Sequence, residues 1–171
     1  MKKYILRATL AALFALPFSV LAADAQRQAE VARLGPEVMP FSLKATTHIF
    51  TKTGDGGVQR VVAKSAADTK QVQLVRKHLH DIQNQFLEGN FSGPEHIHGK
   101  DMPGLAVLKA AKPGQVSIAY KDVKGGAELS YRTADAQLVT ALHAWFDAQL
   151  SDHGADAMAG HQHHHPVMPN Q

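Results

Sequence analysis

Apolar residues in this chain follow three rhythms: one long run near the start, period-two alternation in four short stretches, and helical stripes in two long ones. Residues 45–51, rich in Thr, Ile and Phe, alternate as a strand; Gly54-Asp55-Gly56-Gly57 turns the chain and residues 58–63 return as the partner. Asp68 or Thr69 then opens a helix to about Glu88, with Val72, Val75, Leu79, Ile82 and Phe86 on one face and Gly89 as its stop. Residues 90–100 read as a loop. Asp101 and Pro103 start a short helix to about Ala111. Gln115–Tyr120 and Glu128–Arg132 read as a second hairpin around Lys124-Gly125-Gly126. Thr133 or Asp135 opens the last helix, to about Asp152, with Leu138, Val139, Leu142, Trp145, Phe146 and Leu150 as its buried face.

The two halves echo each other. Each is a hairpin with a Gly-Gly turn followed by a long helix, and the helices share the triplets Gln73-Leu74-Val75 and Gln137-Leu138-Val139. The pattern predicts an α+β fold: a four-stranded antiparallel sheet from two hairpins, with two long helices on one face, as an internal ββα duplication. His78 and His143 occupy the second turn of the two helices, so the repeat predicts that they meet near a pseudo-twofold axis.

The opening run has the form of a secretory leader. Lys2, Lys3 and Arg7 precede the apolar Ile5–Leu16; Pro17 breaks the run, and small residues place cleavage near Ala22 or Ala23. The run is short for a membrane span. The expected organisation is therefore a signal peptide over 1–23, a lead-in over 24–44 with a short helix ended by Gly35-Pro36, one domain over 45–153, and a disordered, histidine-rich tail over 154–171. The expected location is the periplasm, with no membrane attachment after cleavage.

Composition narrows the chemistry. Hydrophobic residues make up 44% and charged ones 19%, ordinary for a globular domain. The formal charge of +3 is carried by the leader, so the remainder is neutral by count and nucleic acid is not an expected partner. With no cysteine there are neither disulfides nor thiolate sites. Eleven histidines are the one excess.

Those histidines define the candidate site. In an extended loop His96 and His98 face the same side, and Met102 adds a thioether four residues later, so all three are expected to meet one ion. His78 and His143 border the apolar stripes of their helices, with Asp147 within reach of His143 as an orienting carboxylate. The face of His48 is not decided by its strand, and His153 reads as a charged C-terminal residue favoured by the helix dipole. His161, His163, His164 and His165 make the tail a flexible metal collector. No phosphate loop, nucleophile elbow or His-Glu-x-x-His motif is present in the sequence.

The segments Thr46-Thr47-His48, Arg76-Lys77-His78-Leu79, His96-Ile97-His98-Gly99-Lys100-Asp101-Met102-Pro103-Gly104-Leu105 and Leu142-His143-Ala144-Trp145-Phe146-Asp147-Ala148-Gln149-Leu150-Ser151-Asp152-His153-Gly154 together resemble a group of small exported proteobacterial proteins. That group often carries the label aspartate carbamoyltransferase. The chain has neither the two-domain length nor the Ser-Thr-Arg phosphate loop such an enzyme needs, so the resemblance implies an exported domain of its own family and does not indicate which activity, if any, it carries.

The sequence thus predicts a periplasmic metal-binding protein, copper first and zinc second, for buffering, delivery or tolerance. Its affinity is expected to fall as pH drops through the free-histidine value of about 6.5. Two alternatives stand beside it. One is a histidine-centred hydrolase or lyase with Glu95, Asp101 or Asp147 as base. The other is a metal-free partner-binding module.

Overall fold

The computed structural model describes residues 18–161, with side chains from Asp24 onward. Residues of the expected leader through Pro17, and His163, His164 and His165 of the tail, lie outside the described residues. The elements in chain order are α1 (Phe18–Val38), β1 (Thr46–Thr53), β2 (Gly56–Ala63), α2 (Thr69–Leu87), α3 (Ser92–His98), α4 (Leu105–Lys109), β3 (Ser117–Val123), β4 (Gly126–Arg132), α5 (Ala136–His153) and β5 (Ala157–Ala159). The fold is α+β with a five-stranded mixed sheet of order β3-β4-β2-β1-β5. Among the described residues no helix is long and apolar enough to cross a membrane.

Both expected hairpins form, and β2 pairs with β4 antiparallel to join them. The expected four-stranded antiparallel sheet needs one correction: β5 adds a parallel edge strand, pairing His48 with Ala157 and Phe50 with Ala159. That strand lies where a disordered tail was expected. The Ala- and Gly-rich sequence of 154–161 offers no alternation to read, and the pairing comes from the free edge of β1.

Alternation along the strands decides which residues face the helices. Thr46, His48 and Phe50 of β1, Gln59 and Val61 of β2, and Leu129 and Tyr131 of β4 are all buried. Phe50 meets Phe146 at a ring separation of 5.1 Å, and Tyr131 meets Trp145 at 6.1 Å, so α5 covers this face. Helix α2 adds Val75, Leu79 and Phe86 to the same core.

Two stretches depart from the expected elements. Helix α1 runs past Gly35-Pro36 to Val38. Proline removes only one helical donor, and Met39 N–H still closes on the Gly35 carbonyl at 2.8 Å. Residues 92–98 form a helix rather than a loop. Asn90 Oδ1 accepts from Ser92 N–H at 3.0 Å, Pro94 lies in the first turn where its missing donor costs nothing, and Gly99 at φ +81° ends it.

Gly104 packs α4 against α5 at a distance no other residue permits. Its φ is +78°, and a Cβ there would lie 2.0 Å from the Ala141 carbonyl oxygen. Gly114 has a similar φ of +85° with open space around it. Chemical denaturation is therefore expected to show Gly114→Ala costing about 1 kcal/mol, the left-handed penalty alone. Gly104→Ala should cost about 3 kcal/mol or more, because the helices must also part. Equal costs at the two sites would contradict this packing.

Candidate functional site: a buried imidazole chamber

Four histidines from four elements line one small chamber between the sheet and the helices. His48 comes from β1, His78 from α2, His98 from α3 and His153 from the end of α5, with exposures of 3%, 9%, 6% and 8%. The cavity is about 40 Å³ and is also lined by Met39, Gln59, Gln149 and Trp145. The His48 and His153 rings are stacked, 4.6 Å apart and 8° from parallel. The His98 ring stands edge-on to His153 at 5.1 Å.

Hydrogen bonds set the tautomer of three of the four rings. Asp152 is ionised and only accepts, so His98 Nδ1–H donates to its Oδ2 at 2.7 Å and leaves Nε2 as the lone-pair nitrogen. His153 Nε2–H donates to Gln149 Oε1 at 3.1 Å, and its Nδ1 is buried with no hydrogen-bond partner. His48 hydrogen-bonds to the backbone of Asp156 in a way that favours its protonated form, so the carbonyl is the acceptor. Its Nδ1 is the buried nitrogen without a partner, so Nε2–H is the donor. His48, His98 and His153 thus each keep one ring nitrogen with no hydrogen-bond partner among the described residues.

The Asp152 carboxylate is itself held by α1. Arg27 donates to both of its oxygens, Nε at 3.2 Å and Nη2 at 2.8 Å, and Nη2 also reaches the His98 carbonyl. Burial alone would raise the Asp152 carboxyl, but the His98 and Arg27 hydrogen bonds together hold it below the usual carboxylate range.

Burial keeps His48, His78 and His153 neutral. Burial, assisted by the neighbouring His78, pushes His48 down to about 3, and burial pushes His78 down to about 4. Burial, with His48 and His98 nearby, holds His153 well below the ordinary histidine value. Loss of the lone pairs near pH 6.5, expected from the sequence, therefore does not apply to these rings.

The residues predicted from sequence divide sharply. His78 and His98 reach the chamber. His96 does not: helical geometry places neighbours two apart about 200° around the axis, so His96 points outward and pairs with Glu37 at 2.9 Å. Met102 is buried but lines an open cleft on the other side of His98 rather than the chamber. His143 is also elsewhere: its Nε2–H is shared between the Thr53 and Gly56 carbonyls, at 3.0 and 2.8 Å, where it closes the β1–β2 turn. The expected meeting of His78 with His143 therefore does not occur. His161 is exposed beside Thr51 and Arg60. Of the bases named for a hydrolase, Glu95 is paired with Lys109 and Asp147 with Lys52.

Two chamber residues were not among the predicted ligands, His48 and His153. His153 lies four residues after Gln149 and eight after Trp145, on the buried stripe of α5, and that spacing was readable. The inward face of His48 was decided only when Phe50 met Phe146. Among the described residues, no group of three or more His, Asp or Glu side chains already stands in an arrangement that would hold a metal ion.

The depressed histidines make stability depend on pH. An unfolded chain takes up protons at about 6.5 while the folded one does not, so the unfolded state binds more protons and gains as pH falls. The loss begins below about 6.5 and continues toward about 4 for His78 and about 3 for His48. Each such ring contributes a slope of up to about 1.4 kcal/mol per pH unit. A thermal melt series from pH 7.5 to 4.5 should show Tm falling steeply below pH 6.5, with His48→Gln flattening the fall. A Tm independent of pH over that range would contradict neutral burial.

Comparison with protein-family models, curated proteins and solved structures finds no match to this chain, so the chemistry of the site is argued from its own geometry.

Proposed function

We propose that this protein is an exported, periplasmic carrier of a transition-metal ion, copper first and zinc second, with His48, His98 and His153 as ligands. His78 and Met39 flank them in the same chamber. One observation carries the reading: the Nδ1 atoms of the stacked His48 and His153 rings are both buried and without a hydrogen-bond partner. A buried polar atom left unpaired is costly, and natural proteins rarely keep two side by side without a use. An electron-pair acceptor satisfies both. His98 Nε2 on the adjoining ring completes a three-imidazole set after modest rotation about soft terminal ring torsions.

The surroundings favour the same chemistry. Imidazole suits copper and zinc, copper(II) leads the divalent series in affinity, and the Met39 thioether suits copper(I). Asp152 stands to His98 as an orienting carboxylate stands to a metal-bound histidine, fixing its tautomer and raising its basicity. The buried His48 and His153 rings, held neutral, need shed no proton before binding.

Calorimetry with Zn(II), and chelator competition with Cu(I), on protein ending at His161 should show one equivalent bound more tightly than about 10 μM. His98→Ala and His153→Ala should each weaken binding more than about tenfold, and Asp152→Asn about tenfold. His96→Ala and His143→Ala should leave affinity unchanged. Absence of saturable binding in the truncated protein would overturn the reading and confine metal affinity to residues 162–171.

A further inference from the structure

A second cavity, independent of the imidazole chamber, lies between α2, α4, β3 and α5. Its volume is about 280 Å³, against about 40 Å³ for the chamber, and the two share only Phe86 and Trp145 as a common wall. Its surface is mixed, and one part of the wall is apolar and in part rigid: Phe86 and Phe91 stack at 4.3 Å, beside Leu108, Val116 and Ile118. It approaches the size of ordinary small-ligand pockets, with room for on the order of ten non-hydrogen atoms.

The mouth carries charge of both signs. Lys109 is already paired with Glu95. Lys112 and Glu88 also line the cavity, and neither has an ion-pair partner among the described residues. One cation and one anion, both exposed where they line a cavity with an apolar wall, match a molecule with an apolar body and charges of both signs.

We propose that this cavity is a binding site for a zwitterionic amino acid with a large apolar side chain. The side chain fills the space lined by Phe91, Val116 and Ile118. The carboxylate faces Lys112 and the ammonium faces Glu88. Carboxylates recognised by lysine and ammonium groups recognised by a carboxylate are charge-assisted pairs, and each adds to what the apolar body contributes alone.

Trp145 is the only tryptophan in the chain and forms part of the wall, so its fluorescence reports on this cavity. The metal-free full-length protein is titrated with L-phenylalanine, 3-phenylpropionate and 2-phenylethylamine at pH 7. The expected result is a saturable change with L-phenylalanine at a concentration at least about tenfold lower than with either single-charge analogue. Lys112→Gln should bring L-phenylalanine to the level of phenylethylamine in wild type, and Glu88→Gln to the level of phenylpropionate. Val116→Phe, which fills the cavity, should abolish binding while Tm holds or rises. Saturation by none of the three, equal saturation by all three, or tightest binding by a single-charge analogue each overturns the proposal.

Discussion

The Asp152 carboxylate is the point at which three helices are tied together. It lies at the end of α5, accepts from Arg27 of α1 on both oxygens, and accepts from His98 of α3 on one. A buried anion with a single partner would be costly, whereas one with a forked guanidinium and an imidazole N–H is satisfied. Without it, α1 would keep, among the described residues, only the Gln28 bond to the Ser151 carbonyl as a side-chain tie to α5, and the His98 tautomer would be free to change. The apolar contacts of Val31, Met39 and Phe41 add bulk to this attachment, but only the carboxylate sets which nitrogen of His98 faces the chamber.

From that constraint the character of the chamber follows. His98 is held edge-on to His153, which is stacked on His48, and His78 closes the set against Phe41 at 5.4 Å. Crowding imidazoles in a dry space makes protonation of His48 and His153 unfavourable, through burial first and repulsion from the neighbouring rings second. The same crowding gives a cluster of neutral electron-pair donors, two of them with no hydrogen-bond partner. A structural purpose alone would have been met more cheaply by apolar residues of similar volume. The metal proposal rests on that comparison.

Much of the fold was legible. The Gly-Gly turns and flanking alternation marked both hairpins, and the stripes of α2 and α5 were read nearly to their ends, because hydrophobic periodicity over many residues is a strong signal. Asp68 and Asp135 cap those helices as the sequence indicated, accepting from Gln71 N–H and Gln137 N–H. What escaped was short or decided at a distance. The seven residues of α3 carry a glycine and a proline and no apolar period, so they read as a loop, and that single misreading placed His96 beside His98. Strand β5 exists only because β1 offers an edge. His153 was treated as a helix end because its polarity suggested solvent, although its spacing placed it on the buried stripe.

The central claim is that ring nitrogens brought together by separate elements are ligands, and the local structure of a bound ion tests it most directly. Zinc K-edge X-ray absorption on protein ending at His161, loaded with one equivalent of Zn(II), should show three imidazole scatterers at about 2.0–2.1 Å, the usual zinc–nitrogen distance. His153→Ala should remove one of them. A first shell of light oxygen scatterers without imidazole outer-shell features would contradict the account.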